Sequence, residues 1–258
     1  MKIITLFFGT ILFIIRFTAF FVWYFIMMFK GAYYCYLHKN WYGQKQLSYT
    51  TRVWARGEAW IFGIKVKIHG DISRHSGLIV SNHVSYMDIM LLGSIFSLRF
   101  APKDDIRSWP VLGWLIGLSR PVWINRSSKQ SSIKVLKEFE ETINNRISLI
   151  AFPEGTTSSG LTDLIPFKST TFETAVTSNL PVYPVLIKYQ DDAIAWYGEG
   201  DPLLIHAWKI LSKWHIKADL YVLPPVVPPI GTNRKDFSSM VYGIMNENFK
   251  KILKGELK

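Results

Sequence analysis

The stretch Gly77–Ile95, "GLIVSNHVSYMDIMLLGSI", decides how the rest of the chain is read. It opens on Leu78-Ile79-Val80, a short continuous apolar run, as expected of a β-strand covered on both faces. It closes on a second apolar run with helical spacing over residues 86–96. Between them, at the lip of the strand, stand Asn82, His83 and Asp88. Positions five apart on one helix point about 140° from each other, so His83 and Asp88 would not meet on a continuous helix. They meet if His83 lies in the turn and Asp88 one turn inside the following helix. The carboxylate can then hold one ring nitrogen protonated, leaving the other free to take a proton.

Strand candidates recur on either side. "IKVKIH" (64–69) alternates Ile64, Val66 and Ile68 against Lys65, Lys67 and His69, a strand with one wet face. "LRFA" (98–101), "PVWIN" (121–125), "ISLIAF" (147–152), "VYPVLIKY" (182–189) and "ADLYVL" (218–223) follow. Helical stretches lie between them, clearest at 129–146 and 170–178. The second opens with Thr170-Thr171-Phe172-Glu173, a capping-box pattern. A further helix over about 236–254 could pack on the core or lie on lipid. Strands alternating with helices predict an α/β fold: a sheet of about seven strands with helices on both faces. The expected division is a helical membrane-anchoring element over 1–60 and an α/β domain over 61–258.

The anchor expectation comes from residues 3–29, whose one charge is Arg16. That length suffices to span a bilayer core. No small-residue cleavage site follows, which argues against a removable signal peptide. Arg16 would cost about 2.5–3.5 kcal/mol at the bilayer centre on insertion scales. Three arrangements are open: a spanning helix with Arg16 paired or snorkelling, a helix lying within one leaflet, or a buried core helix. Lys30, Lys39, Lys45, Arg52 and Arg56 follow, and that positive excess places the remainder on the cytoplasmic side.

Of the 258 residues, 49% are hydrophobic and 15% aromatic, and the formal net charge is +11. Such a surplus suits anionic partners. The single cysteine, Cys35, excludes an internal disulfide and Cys-rich zinc sites. No nucleophile elbow and no nucleotide-binding glycine motif is present, and the six histidines form no zinc motif. Without a nucleophilic serine or cysteine, the simplest use of His83 and Asp88 is to deprotonate a substrate hydroxyl.

Two further elements could touch a ligand. In "AFPEGTTSSG" (151–160) a strand ends at Phe152 and Pro153-Glu154-Gly155 turns the chain. Gly155 would let backbone N–H groups face an anion, with the hydroxyls of Thr156, Thr157 and Ser158 beside it. Lys168 precedes the expected helix N-terminus, an anion-attracting position. Arg126 directly follows "PVWIN".

Together these segments resemble the glycerolipid acyltransferase family, of which 1-acylglycerol-3-phosphate acyltransferase is the familiar member. "NHVSYMD" is similar to its His-x4-Asp block and "KDDIRSWPVLGWLIGLSRPVWINR" to its second block, ending in Arg126. "FPEGTTSSG" with "IPFKSTTFETA" is similar to its Glu-Gly-Thr block, and "LPVYPVLIKY" to its proline-containing fourth block. The resemblance covers roughly residues 60–190. It implies a mixed sheet with flanking helices behind an N-terminal membrane element. By it His83 is the general base on an acceptor hydroxyl that attacks an acyl thioester, and Asp88 orients it. Arg126, Glu154, Gly155, Thr156 and Thr157 belong to acceptor binding, with Lys168 nearby. It further implies a donor of acyl-CoA or acyl carrier protein and no required metal or cofactor. The partners implied are a lipid bilayer and a lysolipid acceptor, most often 1-acylglycerol-3-phosphate; the dispersed basic residues and the apolar N-terminus argue against nucleic acid.

One departure bears on the acceptor. The family often reads Glu-Gly-Thr-Arg, whereas position 157 here is Thr. That, with "IAWYGEGDPLLIHAW" (194–208), is more similar to a bacterial branch that includes lyso-ornithine lipid acyltransferases, whose acceptors carry no phosphate. A reading of another class is a non-enzymatic basic membrane tether, but tethering needs neither His83 nor Asp88.

Overall fold

The structure is a computed structural model that describes residues 2–72, 77–102, 104–108, 112–123, 129–198 and 200–257. Arg126, with Ile124 and Asn125 of the expected fourth strand, lies outside the described residues.

Six strands form one mixed sheet: β1 (Ile64–His69), β2 (Leu78–Ser81), β3 (Leu98–Phe100), β4 (Ser148–Ala151), β5 (Val182–Tyr189) and β6 (Ile216–Val222), in the order β1-β6-β5-β2-β4-β3. β5 runs antiparallel to β6, and the other pairings are parallel. β2, the continuous apolar run, is buried throughout between β4 and β5, whereas β1 alternates at the sheet edge. Val80 pairs with Ala151 on one side and Pro184 on the other. The residues after β2 therefore emerge at the carboxyl end of the sheet between two parallel neighbours, where open α/β sheets bind ligands.

The expected fourth strand, at 121–125, is not formed in its described part, which leaves six strands in place of about seven. Pro121–Trp123 is irregular chain held beside β3 by the Val122 N–H, which donates to Phe100 O at 3.0 Å. Pro121 brings no N–H of its own to a ladder.

Apolar side chains pack on both faces of the sheet. One core joins Ile79, Ile187 and Leu220 to Met87, Leu91 and Leu92 of helix α3 (Met87–Ile95). The other joins Leu78, Val80, Leu149 and Leu186 to Phe237, Val241, Met245 and Phe249 of the C-terminal helix (Arg234–Leu253). That helix thus packs on the core, resolving the choice its sequence left open. Helix α4 (Leu112–Gly117) follows a 3-10 turn, and α5 is Lys129–Asn144.

The capping box at 170–173 does not form. Ser169–Phe172 is a 3-10 turn, α6 (Glu173–Thr177) follows it, and neither has a side-chain cap. Glu173 pairs instead with Arg234 at 2.6 Å. A nine-residue helix not foreseen in the sequence, α7 (Leu203–Leu211), lies between β5 and β6, and the C-terminal helix is α8.

Two helices precede the sheet. α1 (Lys2–Leu37) is continuous, and α2 (Trp41–Ile61) starts at Asn40, whose side chain accepts the Gly43 N–H at 3.2 Å. α2 packs on α1 and on α3. α1 is no core helix: only 11% of its apolar run Leu6–Tyr34 is buried. Phe7, Ile11, Ile14, Ile15, Val22, Phe25, Ile26, Phe29 and Tyr33 stay exposed along one side. The opposite side lies along the domain. There Phe20 stacks on Phe62, and Trp23 donates its indole N–H to Trp54 O at 2.9 Å. Arg16 is 7% exposed, its guanidinium donating to the carbonyls of Leu211, Lys213 and Trp214 just where α7 ends. A cation at the negative end of a helix is favourably placed. The lone charge of the apolar run is thus matched by the domain itself.

Candidate active site

The site is assembled by backbone clamps from three separate segments. Asn82, fully buried, reaches across to β5: its Nδ2 donates to Ile187 O at 3.0 Å and its Oδ1 accepts the Ile187 N–H at 2.8 Å. That two-way bond fixes where the chain leaves β2. His83 follows in the turn, and α3 begins at Met87 with Asp88 in its first turn.

His83 Nδ1 lies 2.8 Å from Asp88 Oδ2. The expected juxtaposition across five positions is therefore made by a turn and not by one helix. The same oxygen accepts the backbone N–H groups of Val84 at 2.7 Å and Ser85 at 3.0 Å. Oδ1 accepts the hydroxyl of Tyr189, from the end of β5, at 2.7 Å. Two backbone N–H groups and a hydroxyl thus donate to a carboxylate that is fully buried. An ionised carboxylate only accepts, so His83 Nδ1 carries the hydrogen and Nε2 is left as the basic nitrogen. Tyr189 is itself buried, and burial, then the negative charge of Asp88, raises its pKa well above the ordinary phenol value. It remains a donor across the working pH range.

The imidazole is 19% exposed and stacks on Phe152, ring centroids 4.0 Å apart. Phe152 ends the β4 run and leads into the Glu154 turn. Glu154 was expected in the acceptor-binding region. Its carboxyl is buried at 1% exposure and accepts two backbone N–H groups, from His83 at 2.9 Å and from Ile165 at 3.2 Å. Burial pushes its pKa up to about 7, against the opposing pull of those two donors. The Ser158 N–H and hydroxyl donate to His83 O at 2.8 and 3.2 Å. The catalytic-looking histidine is thus held at its N–H by Glu154 and at its carbonyl by Ser158.

Gly155 has φ +73°, a conformation costly for any residue with a Cβ, and the Lys168 ammonium occupies the space a Cβ would need. Lys168 also donates its backbone N–H to Pro153 O at 2.8 Å. The structure therefore brings Lys168, Gly155, exposed Thr156 and half-buried Thr157 to the same lip as His83. The anion cradle is narrower than the sequence suggested, since the N–H groups of Gly155 and Ser158 are spent on Phe152 O and His83 O.

Although Arg126 lies outside the described residues, the chain leading to it is anchored. Arg99, 5% exposed, donates to Arg120 O at 3.0 and 2.6 Å, to Thr142 Oγ1 at 2.7 Å and to Glu138 Oε1 at 2.8 Å. Among the described residues no group of three His, Cys, Asp or Glu side chains is placed to hold a metal ion.

Sequence reasoning missed Tyr189, Phe152 and Asn82 as parts of the site, and missed that Glu154 grips the backbone of His83. A Tyr at the last position of an apolar strand carries no local signal, because its partner is 101 positions away.

Comparison with known proteins finds the Acyltransferase family model matching residues 64–188. The lyso-ornithine lipid O-acyltransferase of Pseudomonas aeruginosa is 31% identical over 192 residues, 73% of each chain. The 1-acyl-sn-glycerol-3-phosphate acyltransferase of Neisseria gonorrhoeae is 36% identical over 150 residues, 55% of this chain and 58% of that one. Among solved structures, the crystal structure of the 1-acyl-sn-glycerophosphate acyltransferase of Thermotoga maritima covers 98% of both chains, with a TM-score of 0.65 at 22% identity. That likeness confirms the fold.

Proposed function

The chain belongs to the acyltransferase family, and from that premise we propose that it moves a fatty acyl group from a thioester donor, acyl-CoA or acyl carrier protein, to the free hydroxyl of a lysolipid. The observation that carries this reading is the His83–Asp88 pair: a fully buried carboxylate at 2.8 Å from a partly exposed imidazole. His83 Nε2 takes the hydroxyl proton as the acceptor oxygen attacks the thioester carbonyl. Asp88 stabilises the imidazolium that results. The tetrahedral adduct collapses, the C–S bond breaks, and the imidazolium returns the proton to the departing thiolate. A positioned base of this kind contributes typically about 10²–10⁴-fold.

The acceptor we favour is 1-acylglycerol-3-phosphate, giving phosphatidate. Lys168 over Gly155 supports it, with Arg126 expected to serve the same phosphate through charge-assisted bonds. The second reading is a lyso-ornithine lipid. Two observations favour it: Thr157 stands where the family often has Arg, and relatives named for that activity align over 73% and 84% of this chain.

The membrane supplies the acceptor. The exposed stripe of α1, with Arg16 turned onto the domain, suits a helix lying in one leaflet. A perpendicular span would put the end of α7 at mid-bilayer, beside Arg16. The positive residues after the apolar run support a domain on the cytoplasmic face.

The test is initial-rate kinetics of the purified full chain with both acceptors, each with acyl-CoA and with acyl carrier protein. Under the first reading, Arg126→Ala raises the KM for the phosphate-bearing acceptor far more than for the phosphate-free one. Better use of the lyso-ornithine lipid by the unsubstituted enzyme would replace it with the second reading. No transfer to any lysolipid would overturn both.

A further inference from the structure

We propose that α7 is a second lipid-contact element, whose first turn, Leu203-Leu204-Ile205, inserts into the same leaflet as the exposed stripe of α1; this rests on the membrane reading above. These side chains are 44%, 65% and 47% exposed, directly after Pro202 at the helix start. Three consecutive large aliphatic residues, each left about half open to water at a helix end, are costly. The buried side of α7 is taken by His206, Ile210 and Leu211.

What covers the exposed turn follows from where α7 lies. It packs on α1: the Trp208 indole N–H reaches Thr10 Oγ1 at 3.4 Å, and Ser212 abuts Gly9 closely. Leu204, Trp208 and Ser212 fall on one side of the helix at i, i+4 and i+8. Leu204 thus continues, one turn further out, the stripe by which α7 touches α1. The flanking cation is already matched, Lys209 pairing with Asp201 at 2.6 Å. Trp214 beyond α7 and Trp60 at the end of α2 are 73% and 84% exposed, and such rings favour headgroup depth. The apolar turn, matched charge and aromatic rim fit a bilayer surface.

The opposite side of α7 gives the contact a use. The Tyr86 hydroxyl donates to His206 Nδ1 at 3.0 Å, while His206 Nε2 donates to Ala193 O at 3.1 Å. Tyr86 immediately precedes α3 in the turn that carries His83, and the Trp196 N–H donates to Val84 O in that same turn at 3.0 Å. Seating α7 in lipid therefore sets the height of the site above the leaflet from which a water-insoluble acceptor must enter.

The experiment labels single cysteines of the full chain, in a Cys35→Ser background, with an environment-sensitive fluorophore at Leu204→Cys, Ile26→Cys on α1 and Lys235→Cys on α8, across the sheet from α1 and α7. Vesicles of phosphatidylcholine and phosphatidylglycerol are added, with or without lipids spin-labelled near the top of the acyl chain. The expected result is a blue shift and loss of emission from spin-labelled lipid at positions 204 and 26, with position 235 open only to aqueous iodide. Quenching by lipid at 26 but not at 204 would overturn this inference and leave the membrane reading standing. Quenching at neither would overturn both. As a second readout, Leu204→Glu with Ile205→Glu should raise the KM for a vesicle-borne acceptor while leaving that for a short-chain, monomerically soluble one unchanged. An equal change in both would mean that the turn acts through the fold and not through lipid.

Discussion

Replacing Tyr189 by Phe removes one oxygen from the site and leaves the ring packing intact. Among the described residues that hydroxyl is the one donor to Asp88 Oδ1, at 2.7 Å and fully buried, whereas Oδ2 keeps its three donors. A hydrogen bond to a charged group is worth about 1.5–3 kcal/mol, and a buried oxygen left without one loses that solvation outright. The fold should lose stability of that order. The catalytic consequence is more specific. Without that bond one side of the Asp88 carboxylate loses its anchor, and the imidazole it holds loses its fixed aim at the acceptor hydroxyl. A loosely positioned base forfeits part of the about 10²–10⁴-fold that a positioned one supplies. The expected result is about a tenfold fall in kcat with the acceptor KM little changed. The assay is initial-rate kinetics of wild type and Tyr189→Phe in the same detergent, with thermal unfolding measured alongside. A variant that loses stability while its kcat stays that of wild type would refute the reasoning, leaving Tyr189 a packing residue.

Two other expectations test the supports of the site and the buried acid of α2. Glu154→Gln cannot accept from both the His83 and Ile165 N–H groups, so it should cost about 1.5–3 kcal/mol of stability and lower kcat more than it raises the acceptor KM, read by unfolding and initial rates. Glu58, at 0% exposure, makes no full hydrogen bond through either carboxyl oxygen among the described residues, and burial, only partly offset by the Trp54 indole, pushes its pKa up to about 8. Its folded value lies above its unfolded one, so the folded state binds the extra proton in between and stability falls as pH rises through that window. Glu58→Gln should abolish this fall, of up to about 5 kcal/mol, giving thermal unfolding midpoints that no longer drop between mildly acidic and alkaline pH.

The His83–Asp88 pair was legible because both members lie in one strand-turn-helix segment, where spacing limits the geometry. The alternating edge strand and the continuous central strand were legible for the same reason: one is wet on one face and the other on neither. What escaped reading was set by contacts between distant segments. Tyr189 and Glu154 meet the first motif across 101 and 71 positions, brought there by β5 and β4 flanking β2. The apolar run Pro121–Asn125 carries strand composition, but its described part adds only one bond to β3. The Thr170–Glu173 pattern names a cap that the chain does not make, because a 3-10 turn replaces the first helical turn and Arg234 claims the glutamate. Arg16 read as a cost in lipid because its compensation, the carbonyls at the end of α7, lies nearly 200 residues away.

The most direct test of the central claim is the initial rate of acyl transfer to a lysolipid by the purified full chain carrying His83→Ala, with folding checked by circular dichroism and unfolding midpoint. Removal of the base should cut kcat by about 10²–10⁴-fold while the folded content stays that of wild type. A folded His83→Ala protein that turns over at the wild-type rate would contradict the assignment of His83 as the base.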